Sequence, residues 1–334
     1  MRVLFTFAPE DRLREHFENE LGEICQLVFA TQPEPGVLLD LLEDADAVVG
    51  WLATEEMVER AKQVRLWQNP GVGVTHLVHL FENRPDITLA NCHGNTYFTA
   101  QHAVAMLLTL VNRVNLHHNW MLEGRWRTRD GEAKSIPMRN RRVGLLGYGH
   151  IGLKVARFLS GFDVRLSAYK TRRKAGDEDL EHVQCHYRSE NASLERFVEN
   201  SDILVITLPL TPRTEGLVDE RLLRALGPDG LLVNVGRGAI VVEDDLYRAL
   251  KTGTIAGAAI DVWWREKNPR EFDDGGIRPF DRPFHRLENV VMSPHRAASP
   301  FDDLARWDEV IENVRRATLG RDEFLNVVDV KRGY

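Results

Sequence analysis

Apolar and polar stretches alternate along this chain with the spacing of strands and helices taken in turn. In the first 95 residues, short apolar runs predict strands at 3–7, 24–29, 47–49, 65–67 and 87–90, and amphipathic stretches predict helices at 12–21, 38–42 and 55–63. Strands that alternate with helices form parallel sheets covered by helices. The pattern therefore predicts an α/β domain at the start of the chain.

A second series of apolar runs predicts another parallel sheet, with strands at 143–146, 164–168, 203–207, 231–235, 255–260 and 290–293. Before this series, residues 99–122 are apolar on most sides and predict one long buried helix. After it, residues 302–319 alternate charged and apolar positions as a surface helix does. The length of 334 residues favours two domains over one.

A glycine-rich turn follows the first strand of the second series. Gly147, Gly149 and Gly152 stand at G-x-G-x-x-G spacing between an apolar run and a helical one. Such glycines allow a tight turn, close approach of the backbone to a pyrophosphate and close helix–strand packing, and the helix N-terminus attracts phosphate. We expect a dinucleotide site here; the competing interpretation is a structural corner that binds nothing.

Composition and charge exclude several classes of protein. The net charge of −7 argues against general nucleic-acid binding. Three scattered cysteines argue against a disulfide framework or a cysteine-rich zinc site, and they suit the cytoplasm. The longest apolar run, 103–111, is far shorter than the ~20 residues of a membrane helix. We expect a cytoplasmic protein that binds no nucleic acid, membrane or metal.

A second glycine-rich loop follows the predicted strand at 65–67 and reads Asn69-Pro70-Gly71-Val72-Gly73-Val74. Open α/β sheets bind ligands at the carboxyl ends of their strands, and free N–H groups in such a loop hold small anions. From these residues alone, an anion-binding loop and a plain turn are equally good interpretations.

Three polar side chains follow strand ends in the second series: Arg237, Glu266 and His295. Together they would supply an anion clamp, an orienting carboxylate and a proton shuttle. Each also has a structural interpretation, since Arg237 could fix a loop, Glu266 could be solvated surface and His295 could be a hydrogen-bonded core histidine. Their shared position beyond strand ends favours the chemical interpretation.

Five segments then occur in an order that resembles the D-isomer-specific 2-hydroxyacid dehydrogenases. They are Gly147–Gly152, Leu208-Pro209-Leu210-Thr211-Pro212-Arg213-Thr214, Asn234-Val235-Gly236-Arg237-Gly238, Gly257-Ala258-Ala259-Ile260-Asp261-Val262 and Ser293-Pro294-His295. The resemblance implies an α/β fold of two Rossmann-like domains, with parallel sheets flanked by helices and an active-site cleft between them. It implies a discontinuous, flavodoxin-like substrate-binding domain (1–95 plus 296–334) and a dinucleotide-binding domain (96–295).

The resemblance also implies an activity. Members of the family transfer a hydride between NAD(P)H and a small 2-oxo or D-2-hydroxy acid, such as glyoxylate or hydroxypyruvate, and form homodimers. In this chain Arg237 would bind the substrate carboxylate and carbonyl, His295 would be the general acid/base, and Glu266 beside it would favour the imidazolium. The backbone at Val72 and Gly73 would help Arg237 and His295 to hold the substrate.

The residues that the same reasoning assigns to the cofactor are Gly147, Tyr148, Gly149, His150, Ile151, Gly152, Lys170, Arg172, Arg173, Leu208, Pro209, Thr214, Val235, Gly236 and Asp261. Sites specific for NAD carry an acid about 20 residues past the glycines, which bonds the ribose 2′-hydroxyl. Lys170 stands there instead, 18 residues after Gly152 (170 − 152). Cations attract a 2′-phosphate, so we expect NADP rather than NAD; the alternative is a solvated basic loop.

The chain departs from the family pattern after Glu266. Members usually have Glu-Pro where this chain has Glu266-Lys267-Asn268-Pro269, and the segment 267–284 is longer than is typical and has no role that the sequence assigns. Trp263 and Trp264 just before it either narrow the pocket or simply pack.

Two other functions remain open. One is formate dehydrogenase on the same fold, although that relative pairs its histidine with glutamine rather than with a residue like Glu266. The other is a non-catalytic protein that senses the dinucleotide, as transcriptional corepressors similar to this family do. The chain lacks basic and low-complexity tails, which disfavours the second.

Overall fold

Two parallel sheets organise the chain, one in each of its two units. Unit 1 comprises Met1–Thr96 and Pro300–Tyr334, and unit 2 comprises Tyr97–Ser299. The structure, a computed structural model, describes residues 1–30, 35–126, 131–171, 182–188, 192–298 and 303–333. In both units helices flank the sheet, which confirms the expected α/β class.

Unit 1 contains five strands, β1 (Arg2–Phe5), β2 (Gln26–Phe29), β3 (Ala47–Val49), β4 (Leu66–Gln68) and β5 (Thr88–Ala90). The helices between them are α1 (Asp11–Leu21), α2 (Pro35–Leu42), α3 (Glu55–Arg60) and α4 (Val78–Phe81). All strand pairs are parallel, in the order β2-β1-β3-β4-β5.

Unit 2 contains α5 (Thr96–Val111, which begins at the unit boundary), α6 (Val114–Leu122), β6 (Arg142–Leu146), α7 (His150–Leu159), β7 (Arg165–Lys170), β8 (Val183–Tyr187), α8 (Leu194–Glu199), β9 (Ile203–Ile206), α9 (Glu220–Leu226), β10 (Leu231–Asn234), α10 (Glu243–Thr252), β11 (Gly257–Ile260), β12 (Arg270–Glu271), β13 (Ile277–Arg278) and β14 (Val290–Met292). Seven of these strands form a parallel sheet in the order β14-β11-β10-β9-β6-β7-β8, and β12 pairs with β13 as a separate antiparallel hairpin. The order reverses between β9 and β6, and open α/β sheets bind ligands at such a reversal.

The cores lie on both faces of each sheet. In β6, Val143 and Leu145 pack with α5 and α7, whereas Leu146 packs on the opposite face with α8, α9 and α10. Successive strand residues point to opposite faces, so these fully buried strands are apolar throughout. The last helix, α11 (Asp308–Thr318), returns to unit 1, where Val310 and Val314 belong to the same core as Val3 of β1 and contacts link α11 to β3 and β4.

The single helix expected at 99–122 is wrong, because the structure divides it into α5 and α6. The break lies at Arg113, whose φ of 55° belongs to the left-handed region and cannot continue an α-helix. The expected burial also holds only for the first part, since α6 has no buried residue. The expected surface helix at 302–319 forms as α11, with one face buried in the core of unit 1.

No helix in the part of the chain that the structure describes is long and apolar enough to cross a membrane. Within the same ranges, no cluster of three or more His, Cys, Asp or Glu side chains could hold a metal ion.

Candidate active site

The glycine-rich turn links β6 to the N-terminus of α7. Gly147 has a φ of 102°, which a residue with a side chain rarely adopts. A Cβ added at Gly152 would lie 2.5 Å from the carbonyl oxygen of Gly147, whereas one added at Gly149 would meet no atom within 4 Å. Gly152 thus permits close packing, and Gly149 borders open space at the start of the helix, where phosphate groups are stabilised.

Two further loops lie at the carboxyl ends of neighbouring strands. After β9, the hydroxyl of Thr214 donates to the carbonyl of Pro209 at 2.7 Å and accepts the N–H of Thr211 at 2.8 Å, which closes the loop that begins at Leu208. After β10, the buried side chain of Asn234 accepts the N–H of Gly236 at 3.0 Å and donates to the carbonyl of Arg237 at 3.0 Å. Asn234 therefore fixes the turn that carries Arg237.

A cation stands at the carboxyl end of β7. Lys170 is the last residue of that strand, and its ammonium lies 5.4 Å from the ring centre of Tyr148 in the glycine-rich turn. His150 and Ile151 open α7 beside that turn. Arg172 and Arg173, which the sequence also assigns to the cofactor, lie outside the described residues.

Glu266 and His295 form a hydrogen-bonded pair, although they lie 29 residues apart in sequence. Nδ1 of His295 is 2.9 Å from Oε2 of Glu266, and the N–H of Trp263 donates to Oε1 of Glu266 at 2.9 Å. Burial alone would raise the pKa of Glu266, but the bonds from His295 and Trp263 and the charge of Arg237 outweigh burial and lower it. The ionised Glu266 therefore accepts a hydrogen bond from the Nδ1–H of His295. Nε2 is then the ring nitrogen that can exchange a proton with a substrate.

Arg237 completes the group. Burial lowers the pKa of its guanidinium from the ordinary value, and the charge of Glu266 opposes that shift. One guanidinium nitrogen donates to the carbonyl of Gly236 at 2.7 Å. The structure thus places His295 in hydrogen-bond contact with Glu266, and it places Arg237 near enough for its charge to lower the pKa of Glu266.

Asp261 is fully buried beneath the loop that carries His295. Its Oδ1 accepts the hydroxyl of Ser293 at 2.5 Å and the N–H of Arg296 at 2.8 Å, and its Oδ2 accepts the N–H of Ala297 at 3.1 Å. Burial raises the pKa of this carboxyl, but these bonds and the one from His102 lower it to about 2. Asp261 is therefore an ionised anchor for the loop 293–297.

This anchor explains an unusual backbone conformation. His295 has a φ of 55°, a region that costs a residue with a side chain roughly 1 kcal/mol. Its own N–H donates to the carbonyl of Asp261 at 2.8 Å. The hydrogen bonds on both sides of His295 hold the imidazole in this conformation, as functional side chains often require.

The segment 267–284 folds as the β12–β13 hairpin and packs against the residues that precede Glu266. Phe280 lies 4.8 Å from the ring of Trp263, and Phe284 stacks on Trp264 at 5.4 Å. Both indoles donate hydrogen bonds, Trp263 to the carbonyl of Ser293 at 2.8 Å and Trp264 to the carbonyl of Val241 at 2.7 Å. The two tryptophans are therefore structural in this unit, and Trp263 joins the segments of Glu266 and His295.

In unit 1, the second glycine-rich loop directly follows β4. The N–H groups of Val72, Gly73 and Val74 donate no hydrogen bond within the ranges that the structure describes. Their carbonyl neighbours are bonded by two buried side chains, Asn69 and Asn91. These N–H groups are available to an anion, which the interpretation as an anion-binding loop requires.

Sequence reasoning overlooked the residues that hold these loops in place: Asn69, Asn91, Asn234 and Ser293. A common signal was present, because each is a polar residue at or just after the end of an apolar strand. A polar side chain buried there must find hydrogen-bond partners, and the nearest partners are in the following loop.

Comparison with known proteins identifies the family of this chain. Residues 104–297 match the family model described as D-isomer specific 2-hydroxyacid dehydrogenase, NAD binding domain. A glyoxylate reductase of Korarchaeum cryptofilum is 31% identical over 306 residues, which cover 90% of this chain and 86% of the relative. The chain belongs to the D-isomer specific 2-hydroxyacid dehydrogenases. It is thus an oxidoreductase with a binding domain for a nicotinamide dinucleotide.

Two other relatives show the breadth of this dehydrogenase family. A formate dehydrogenase of Chaetomium thermophilum is 30% identical over 315 residues, which cover 93% of this chain and 79% of the relative. The crystal structure of an NADPH-dependent glyoxylate/hydroxypyruvate reductase from Sinorhizobium meliloti, in complex with NADP and malonate, has a TM-score of 0.77 and 27% identity, and the match covers 99% of this chain and 97% of that one.

Proposed function

We propose that this dehydrogenase reduces a small 2-oxo acid, of the glyoxylate or hydroxypyruvate type, to the D-2-hydroxy acid with NADPH. The observation that carries the proposal is the 2.9 Å pair of His295 and Glu266 beside Arg237. Reduction of a 2-oxo acid requires a proton donor for the oxygen of the 2-oxo group and a cation that binds the neighbouring carboxylate.

The described residues fit the cofactor. The open space at Gly149, the close packing at Gly152 and the N-terminus of α7 suit a pyrophosphate, and the loops at Leu208–Thr214 and Val235–Gly236 lie at neighbouring strand ends. When bound, the nicotinamide supplies the hydride. Asp261 supports the loop of His295 and is proposed to border the nicotinamide.

The remaining chemistry belongs to the side chains. Arg237 binds the substrate carboxylate in a bidentate manner and, with the N–H groups of Val72 and Gly73, orients the acid. Protonated His295 donates from Nε2 to the carbonyl oxygen as negative charge develops there. Ionised Glu266 accepts a hydrogen bond from Nδ1, which orients the ring and leaves Nε2 to transfer the proton.

Formate oxidation is disfavoured despite the 30% identical relative. Formate dehydrogenases pair the histidine with glutamine, and this chain pairs His295 with the carboxylate of Glu266. Oxidation of formate to carbon dioxide needs no proton transfer to a carbonyl oxygen. A general acid such as His295, paired with Glu266, would therefore not be required for that reaction.

A panel of 2-oxo acids tests the proposal. With NADPH, the purified chain is expected to oxidise the cofactor in the presence of glyoxylate or hydroxypyruvate, followed by nicotinamide absorbance, and to leave formate with NADP unchanged. A chain that binds NADPH but reduces no 2-oxo acid would instead be a dinucleotide sensor, and the proposal would fail.

The preference for NADP rests on the cation at the end of β7. Replacing Lys170→Glu should weaken NADPH binding about tenfold, the effect of roughly 1.4 kcal/mol, and should leave or improve NADH binding. Arg165→Glu makes a similar charge change at the opposite end of the same strand and serves as the control. Fluorescence titration of both cofactors gives the ratio; equal affinities for NADPH and NADH in the unmutated chain would refute the preference.

Assembly and location complete the proposal. We infer a cytoplasmic homodimer: scattered cysteines suit a reducing compartment, and α6 exposes Val114, Met121 and Leu122, apolar side chains that a second subunit could cover. Light scattering on the purified chain would measure the subunit number, and a monomer would contradict the dimer.

A further inference from the structure

We propose that four buried amide side chains of unit 1, Gln68, Asn69, Asn91 and Asn313, are positioning residues that aim the backbone N–H groups of the 71–74 loop at the substrate carboxylate. The inference rests on the proposed function, because that function supplies the anion. All four side chains are buried, with exposed fractions of 0% to 8%.

Two of the amides hold three consecutive carbonyls of the loop from its inner side. The side-chain N–H₂ of Asn69 donates to the carbonyl of Gly71 at 2.6 Å and to that of Gly73 at 3.3 Å. The side chain of Asn91 donates to the carbonyl of Val72 at 3.0 Å. Each carbonyl between Gly71 and Gly73 is therefore bonded to a buried amide.

The direction of these carbonyls also determines the direction of the N–H groups that follow them. In a trans peptide, the C=O of one residue and the N–H of the next lie in one plane and point in opposite directions. Because the carbonyls of 71, 72 and 73 point to buried amides, the N–H groups of Val72, Gly73 and Val74 point away from them. The three donors therefore face away from Asn69 and Asn91, where they are available to an anion.

The other two amides hold the first two in place. The side-chain N–H₂ of Gln68 donates to the carbonyls of Asn69 and Asn91 at 3.1 and 3.0 Å, and its Oε1 accepts from Asn313 of α11 at 2.6 Å. The Asn313 side chain is itself fixed to the backbone of Leu325 through both its nitrogen and its oxygen. The C-terminal helix thus connects to the loop through an unbroken chain of amides.

Neutral donors suit this task better than charged ones. A lysine or arginine behind the loop would bind the carbonyls, but its charge would need a buried counter-ion. Amides satisfy carbonyls without charge, and the hydrogen bonds of a buried polar network favour a single conformation. Replacing an amide by a carboxylate would remove the donor and place a like charge near the substrate.

Two variants test the inference: Asn91→Leu, which keeps the shape but removes the donor, and Asn91→Asp, which also adds charge. In both we expect the KM for glyoxylate to rise about tenfold or more, because small misplacements of binding groups are costly. The value of kcat should change much less, since uniform binding appears in KM. The dissociation constant of NADPH, a ligand of unit 2, should stay as in the unmutated chain.

The matched control is Asn289→Leu. Asn289 also donates to two carbonyls, those of Leu250 and Ala256, but it precedes β14 at the end of the strand opposite to His295. This variant should lose stability and keep its KM. If Asn91→Leu does not fold, Asn91→Asp decides, because it preserves volume.

The outcomes separate the inference from the function on which it rests. An active unmutated chain whose Asn91 variants keep the KM for glyoxylate would overturn the positioning role and leave the reductase intact. An unmutated chain that reduces no 2-oxo acid would overturn both. A raised KM in the Asn91 variants, with an unchanged KM in Asn289→Leu, would support the role.

Discussion

Two loops at the carboxyl ends of parallel strands carry the proposed chemistry, and they are held in opposite ways. The 71–74 loop of unit 1 follows β4, offers backbone N–H groups and is held by neutral amide side chains. The 293–297 loop of unit 2 follows β14, offers the imidazole of His295 and is held by the buried carboxylate of Asp261.

The difference follows from what each loop presents. Backbone donors carry no net charge and do not titrate, so neutral amides suffice to orient them. An imidazole that transfers a proton needs a fixed orientation; the carboxylate of Glu266 bonds its Nδ1, and the carboxylate of Asp261 holds the loop that carries it. Binding of the acid by the 71–74 loop should therefore be insensitive to pH, whereas the contact between Glu266 and His295 should be lost when the pH falls through the lowered pKa of Glu266.

Removal of the imidazole is expected to have the largest effect. His295→Gln should lower kcat by about 10²- to 10⁴-fold, the usual contribution of a general acid, because glutamine cannot donate a proton. NADPH binding should be nearly unchanged, since the glycine-rich turn is untouched. Steady-state kinetics and a fluorescence titration of NADPH measure the two effects.

The exposed His79 of α4 offers a control for His295→Gln, because His79→Gln makes the same change outside the site. That variant should keep full activity. An active His295→Gln enzyme would remove the proposed acid and the contrast between the two loops with it.

A smaller effect is expected from Asp261→Asn. The pKa of Asp261 is lowered to about 2, so this carboxylate stabilises the fold above its ordinary pKa of 3.8 and the stabilisation disappears as the pH falls towards 2. The lowering of this pKa from 3.8 to about 2 corresponds to about 2 kcal/mol of folding free energy. Asparagine offers one acceptor oxygen and would turn donors towards the N–H of Arg296 or Ala297.

Thermal unfolding between pH 2 and 7 would measure this effect. The Asp261→Asn variant should unfold at lower temperature at neutral pH and lose less further stability in acid than the unmutated chain, and its kcat should fall. Asp219→Asn is the matched control, because Asp219 caps α9 and asparagine caps equally well. An acid profile identical to that of the unmutated chain would contradict the anchoring role of Asp261.

The sheets were predictable because buried parallel strands are apolar throughout and end at polar residues. Strand β8 was missed because it lies at the edge of its sheet, where Gln184 and His186 interrupt the apolar pattern. The short helices α8 and α9 were also missed, although Ser193 and Asp219 cap them through their side chains and such caps can be read in sequence. The break at Arg113 had no signal in the sequence, because arginine is not a residue that favours the left-handed region.

The sequence could predict at which strand ends the site residues lie, but it could not predict which hydrogen bonds hold them there. Family resemblance placed Glu266 near His295 despite the changed residues after it, and the pair lies at 2.9 Å. The amide network could not be foreseen, because the partners Gln68 and Asn313 are 245 residues apart. Which carbonyls a buried amide satisfies depends on the folded backbone, and one sequence does not contain that information.

The smallest effect is expected from a change at Trp263, whose indole joins the segment that carries Glu266 to the segment that carries His295. Trp263→Phe keeps a ring for Phe280 but removes the indole N–H that bonds the carbonyl of Ser293, two residues before His295. We expect a loss of about 1–3 kcal/mol in stability for the unsatisfied carbonyl and a fall of roughly tenfold or less in kcat as His295 shifts. The pH profile of kcat should move as well, because a looser contact with His295 weakens one of the bonds that lower the pKa of Glu266. Trp264→Phe removes an equivalent bond to Val241 and should cost stability alone; if both variants changed kcat and its pH profile equally, Trp263 would have no specific part in aligning the pair.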